Sequence, residues 1–176
     1  MCSDNGIIEE NISSSPKILT SLLATQMGNG TTGVDALAEE ANSEVFVVDL
    51  GIEDYPGCEN VINRRISNGT KNFMKEDAMT KKEAIESIIG FNIAKDLIEK
   101  GYEVLGTGEL GMGNTTTSAA VIKAITQGSE ENIVGLGSGV DMTQFENKLR
   151  VVREGILLRN PDLNDPIDIL AKVGGY

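Results

Sequence analysis

The sequence of 176 residues contains no histidine and no tryptophan. Without histidine, no Ser-His-Asp triad, Cys-His pair or His-ligated zinc site can form within this chain. Cysteine is scarce as well, with Cys2 and Cys58 the only two. They make neither a C-x-x-C pair nor a disulfide framework, which fits a reducing compartment. Positive charge is in deficit. Lys and Arg number 15 against 27 Asp and Glu, a formal net charge of −12. Such a body is repelled by nucleic-acid phosphates and anionic membrane surfaces, although a small local phosphate site stays possible. No apolar run approaches the ~20 residues that span a bilayer. The opening residues lack the basic and apolar regions of a secretory signal. A cytoplasmic protein with neither nucleic acid nor membrane as partner is expected.

What is present reads as one globular domain. Hydrophobic residues make up 40 % and charged residues 24 % of the chain, an ordinary mixture with ample material for a core. Apolar runs alternate with helical patterns, the mark of an α/β fold with a parallel sheet flanked by helices. Ser15-Pro16 predicts a helix start, with serine as N-cap and proline in the first turn, followed by Leu19, Leu22, Leu23 and Met27 at helical spacing. A second helix is expected over about 32–41. The run EVFVVDLGI (44–52) reads as a strand buried on both faces, with Asp49 near its C-terminal end. One short strand is expected within 60–72. The capping box Thr80-x-x-Glu83 opens one long helix carrying Ile85, Ile88, Ile89, Ile93, Leu97 and Ile98, which Gly101 closes. Short strands are predicted at YEVLG (102–106) and NIVGLG (132–137), with a helix over 115–126 between them. A second box, Thr143 to Glu146, predicts a helix to about Arg159, and Asp165-Pro166 starts the last one.

The segment GTGELGMGNTTTSAA (106–120) is the strongest candidate for chemistry. Its G-x-G-x-x-G, formed by Gly106, Gly108 and Gly111, precedes a helix. Glycines let backbone approach a ligand, and the amides and dipole at a helix N-terminus suit an anion. Asn114, Thr115 and Thr116 add neutral donors. The same pattern also serves as a tight turn capped by threonine, and a lone G-x-G-x-x-G is a weak signal. A dinucleotide reading is disfavoured, because no acid follows NIVGLG until Asp141. Glu109 sits inside the loop and, beside a phosphate, requires another duty such as a ribose hydroxyl; a solvated glutamate is the plain alternative. GLGSGVD (135–141) is a second glycine loop in which Ser138 is a candidate ligand contact. Lys148, in the following helix, is a nearby positive charge or simply a surface lysine. Asp4, Asn5, the Ser13-Ser14-Ser15 run and Asp49 are weaker candidates.

Six stretches together carry a resemblance: SDNGIIEENISSSPKILT, GNGTTGVDALAEEA, VFVVDLGI, GTGELGMGNTTTSAA, FENKLRVV and DILAKVGGY. In this order they resemble the nicotinate-nucleotide:dimethylbenzimidazole phosphoribosyltransferase family along essentially the whole chain. The resemblance implies a Rossmann-like large domain on a parallel sheet, a small helical domain largely missing here, and a homodimer. Residues 1–176 then form a single α/β domain that is part of the family's large domain. The expected reaction moves the phosphoribosyl group of nicotinate mononucleotide onto 5,6-dimethylbenzimidazole or a related base. Nicotinate leaves, α-ribazole 5′-phosphate forms for the cobalamin lower loop, and neither metal nor cofactor takes part. The alternative is a piece that binds nucleotide phosphate, or a subunit, without turnover.

By the same resemblance, Gly111, Gly113, Asn114, Thr115 and Thr116 hold the nucleotide phosphate. Glu109 and Lys148 are supporting residues near the ribose and are expected to pair. Ser15 and Leu110 line the benzimidazole pocket. The family's base is a glutamate expected beyond Tyr176, so no catalytic base is named among these residues. Asn5 and Leu23 depart from the pattern, standing where many relatives have histidine and some have glutamine. An exposed apolar patch is expected where the family's further helices would pack.

Overall fold

The computed structural model describes residues 1–137 and 139–176. In chain order the elements are β1 (Cys2–Ser3), a 3-10 turn (Gly6–Glu10), α1 (Leu19–Gly28), α2 (Gly33–Glu40), β2 (Val47–Gly51), β3 (Val61–Asn63), α3 (Lys81–Ser87), α4 (Gly90–Glu99), α5 (Asn114–Thr126), α6 (Glu130–Ile133), α7 (Met142–Arg159) and α8 (Pro166–Val173). The strands form one parallel sheet in the order β1-β2-β3. All five residues of β2 are buried, Asp49 among them, as the apolar run 45–48 leading into it predicts. Leu110 adds a single parallel bridge to Cys2 at the β1 edge. The segment that follows Leu110 and the one that follows β1 therefore leave the sheet side by side, at the carboxyl ends where α/β folds hold their ligands.

Two apolar clusters fill the interior. One packs Cys2, Val47, Ile52, Tyr55 and Val61 of the sheet region against Ala24 of α1. The larger one joins α5, α7 and α8 around Phe73, Val151, Val152 and Ile169, with Ala119 and Ala120 allowing close helix approach. On α1 it is Thr20 and Ala24 that are buried, while Leu22 faces outward. Small residues win that face because the helix lies close to the sheet: a Cβ on Gly28 would come within 2.9 Å of Val61.

Several expectations are corrected. The first helix starts at Leu19 with Ile18 as a helical N-cap, so Ser15 is not the cap; its N–H instead donates to Ser13 Oγ (3.1 Å). The long helix predicted from Thr80 to Gly101 is two helices. The Thr80–Glu83 box forms, but the chain turns at Ile88 (ψ 43°) before Gly90 opens α4. Gly90 is a poor helix-interior residue, and Ile85, Ile88 and Ile98 are about 60 % exposed, so no buried stripe holds the two halves in line. Gly101 does end α4 with φ +99°. The last long helix is capped by Asp141, whose Oδ1 accepts Gln144 N–H at 2.8 Å, and not by Thr143. Neither YEVLG nor NIVGLG is a strand. Val104 is 88 % exposed, and Ile133 closes α6. A strand needs a ladder partner, and among the described residues this side of β1 offers only the bridge at Leu110. No helix among the described residues is long and apolar enough to cross a membrane.

Gly155 on α7 faces the fully buried ring of Phe73, and a Cβ there would lie 2.4 Å from Phe73 Cε2. Gly155→Ala is expected to lower stability by about 1–3 kcal/mol through overpacking, which outweighs the ~1 kcal/mol that alanine gains in helix propensity. A urea-unfolding midpoint at or above the wild-type value would contradict this.

Candidate active site

The glycine loop is built against the N-terminal segment. Ser3 N–H donates to Leu110 O at 3.0 Å, which sets the two backbones side by side. A Cβ on Gly111 would meet Ser3 O at 2.2 Å and Asn5 Nδ2 at 2.9 Å, so only glycine fits there. Gly113 then turns the chain with φ +87° and opens α5 directly. Around this turn, Asn114 N–H donates to Gly111 O (3.1 Å), and Thr116 N–H to Gly113 O (2.9 Å). The Asn114 side chain spans two partners: its Nδ2 donates to Glu109 Oε1, and its Oδ1 accepts Thr115 N–H at 2.7 Å. An oxygen thus already occupies an anion's position on a first-turn amide, at the positive end of the 13-residue helix α5.

Lys148 comes in from α7 beneath this turn and is 1 % exposed. Its ammonium donates to Thr115 Oγ1 (3.0 Å) and to Gly135 O (2.9 Å). Among the described residues no carboxylate pairs with it. Burial alone pushes its pKa below the usual lysine range. A buried cation whose partners are all neutral leaves positive potential at the start of α5, inside a protein of net charge −12. The expected Glu109–Lys148 pair is absent. Glu109 lies on the exposed side of the loop and bonds Asn114, whereas Lys148 is enclosed by Thr115 and the 135–136 carbonyls.

The second glycine loop closes over the same lysine. Gly137 (φ +75°) is placed so that a Cβ would lie 3.4 Å from both Lys148 Nζ and Thr115 Oγ1. Ser14 Oγ donates to Gly139 O at 2.7 Å, which ties the Ser13–Ser15 run to this loop and brings half-buried Ser15 into its neighbourhood. Ser138 lies outside the described residues. Glu109, Leu110, Gly111, Gly113, Asn114, Thr115 and Lys148 are therefore gathered at one place. Thr116 lies beneath it, fully buried, with its hydroxyl lacking a hydrogen-bond partner. A cavity of about 290 Å³ beside the turn is lined by Ser3, Asn5, Glu109, Asn114, Thr117 and Tyr176, among others.

The weaker candidates separate. Asp49 does not reach this crevice: it pairs with Arg65 (2.9 Å) and accepts the Gly51 and Ile52 amides, a structural turn. Asp4 is buried and accepts Glu53 N–H at 2.9 Å; burial pushes its carboxyl up, with the Thr20 hydroxyl and Lys17 opposing. Two further residues hold the loop, of which Asn5 was a weaker candidate and Thr20 was missed. Thr20 Oγ1 accepts Met112 N–H (3.2 Å), and Asn5 Nδ2 donates to Met112 O (3.4 Å). Thr20 gave no signal beyond being a polar residue among the apolar positions of α1.

Three comparisons bear on this site. The family model described as "Phosphoribosyltransferase" matches residues 1–176. Over 177 aligned positions the chain is 46 % identical to the nicotinate-nucleotide–dimethylbenzimidazole phosphoribosyltransferase of Acetivibrio thermocellus, covering all of this chain and 50 % of that protein. Proteins of the same name from Clostridium perfringens and Escherichia coli are 48 % and 38 % identical, again with all of this chain and 49 % of each relative covered. The crystal structure of CobT from Thermus thermophilus matches with a TM-score of 0.91 and 29 % identity, over 99 % of this chain and 53 % of that one. The chain thus spans about half the length of the relatives it matches.

The buried lysine gives a pH signature. The folded state releases the Lys148 proton below the ordinary value of 10.5, while the unfolded chain keeps it up to that value. Within that window the unfolded state binds more protons, so this group's contribution to stability rises with pH. The stability of the wild type relative to Lys148→Met is expected to climb as pH rises from neutrality toward 10. Urea unfolding across that range checks it, and a difference independent of pH would refute it.

Proposed function

The chain belongs to this phosphoribosyltransferase family, and from that premise we propose that it carries the nucleotide-binding part of a nicotinate-nucleotide:dimethylbenzimidazole phosphoribosyltransferase. In this reading residues 1–176 are one α/β domain, part of the family's large domain. The phosphoribosyl group of nicotinate mononucleotide passes to 5,6-dimethylbenzimidazole or a related base, giving α-ribazole 5′-phosphate and nicotinate. The proposal includes assembly as a homodimer and a cytoplasmic setting.

The observation that carries the reading is the start of α5. The Gly111–Gly113 turn, the first-turn amides and the buried Lys148 favour a dianionic phosphate in an otherwise acidic protein. The phosphate takes over the place of Asn114 Oδ1 on Thr115 N–H, which frees the Asn114 amide to donate to it. Release of Asn114 also releases Glu109, whose carboxylate then turns to the ribose hydroxyls. Holding the phosphate leaves the glycosidic carbon facing the cavity, where the incoming ring lies in line with departing nicotinate and inverts the anomeric centre. Proton removal from the attacking base calls for a carboxylate of suitable pKa. No residue of 1–176 is assigned that step.

Incubation with nicotinate mononucleotide and dimethylbenzimidazole, followed by mass detection of α-ribazole phosphate, tests turnover. Binding of the mononucleotide without product would support the alternative of a phosphate-binding unit without turnover. Asn114→Leu removes the donor and covers Thr115 N–H, so mononucleotide affinity is expected to fall about tenfold or more. Calorimetric titration measures it, and an unchanged affinity would remove the phosphate-loop assignment.

A further inference from the structure

We infer that Thr20 and Asn5 are positioning residues for the glycine loop, acting together through the Met112 backbone; this rests on the phosphate-site reading above. Two successive peptide planes meet at Met112. The first carries Met112 N–H, which donates to Thr20 Oγ1 at 3.2 Å. The second carries Met112 C=O, which accepts from Asn5 Nδ2 at 3.4 Å. Both side chains are buried, Thr20 at 0 % and Asn5 at 2 % exposure. Each comes from an element remote in sequence, the α1 helix and the segment after β1.

With both planes held, φ and ψ of Met112 are set, and so is the peptide plane that enters Gly113, whose φ of +87° lies outside the range that other residues favour. Glycine supplies the freedom to reach that conformation but no preference to stay in it. The preference comes from the entering plane, held through Met112 by Thr20 and Asn5, and from the leaving plane, whose Asn114 N–H donates to Gly111 O. The Asn5 carboxamide is also wedged in place: its Nδ2 lies 2.9 Å from where a Gly111 Cβ would be, and its Oδ1 lies 2.5 Å from the corresponding point at Gly175. A side chain packed against two glycines cannot swing away from Met112 O. Thr20, without exposed surface, does not touch a ligand in the crevice. Its effect reaches the phosphate through Met112, Gly113 and the first turn of α5.

The test uses the full chain with Thr20→Val, which keeps shape and removes the hydroxyl, and Thr20→Ser, which keeps the hydroxyl. Two quantities are read: amide hydrogen exchange over 111–116, and affinity for nicotinate mononucleotide by calorimetry. Thr20→Val is expected to speed exchange in that segment and weaken the mononucleotide about tenfold, and Thr20→Ser to restore both. Wild-type exchange and affinity in Thr20→Val would overturn the inference. So would a Thr20→Ser variant as impaired as Thr20→Val, because packing and not the hydroxyl would then be at work. Should Thr20→Val fail to fold, Asn5→Ala is read in the same two ways: faster exchange with weaker binding supports the inference, and wild-type values overturn it. Should the wild type not bind the mononucleotide while exchange responds as expected, the phosphate reading falls and the positioning role stands.

Discussion

The structure turns on the close approach of two backbones far apart in sequence. Ser3 and Leu110 share a hydrogen bond, and directly beyond it the Ser3 carbonyl fills the space that a side chain on Gly111 would need. That approach joins the residues leaving β1 to the loop that opens α5. Everything at the candidate site follows from it. Gly113 turns over Ile7 and Ile12, α5 begins without a linker, and Thr115 is delivered to the Lys148 ammonium. The same approach puts the Asn5 carboxamide against Met112. A bulkier residue at Gly111 would push the N-terminal segment and the loop apart and dismantle all of these contacts together.

The electrostatics are local and run against the overall charge. A net charge of −12 is unfavourable for any anion at long range. The site overcomes this with a helix dipole and a lysine removed from water, both within a few ångströms of the first turn of α5. Screening weakens the distant carboxylates much more than it weakens buried, close charges. Placing the lysine beneath the turn, with a hydroxyl and carbonyls as partners, keeps its charge available to a ligand. A carboxylate partner would have cancelled it, and Glu109 is directed instead to Asn114.

Much of the architecture was legible in local patterns. The apolar run 45–48 that enters β2, the Thr80–Glu83 capping box, the proline start of α8 and the glycine end of α4 all work over a few residues, and the fold contains each of them. Two of the errors share one cause: they concern features that depend on neighbours distant in the chain. The isoleucine stripe after Thr80 has helical spacing, but Ile85, Ile88 and Ile98 stay exposed and the rest is only half-buried, so the helix breaks ahead of Gly90. The apolar segments at 102–106 and 132–137 suit strands, but among the described residues they join no ladder. The cap of α7 moved to Asp141 because Asp-x-x-Gln forms an equivalent box two residues earlier than Thr-x-x-Glu.

At the site the same division holds. The sequence by itself determined the glycine pattern, the helix behind it, the absence of histidine chemistry and the net acidic balance, because these depend on composition and on residues a turn or two apart. Only the tertiary structure decided that Lys148 reaches the start of α5, that Glu109 turns away from it, and that Met112 is held from both sides by Asn5 and Thr20. The Lys148–Thr115, Met112–Thr20 and Met112–Asn5 contacts join residues 33, 92 and 107 positions apart. No local spacing encodes them, since they exist only once the sheet and the α5–α7–α8 core have brought the segments within hydrogen-bonding reach.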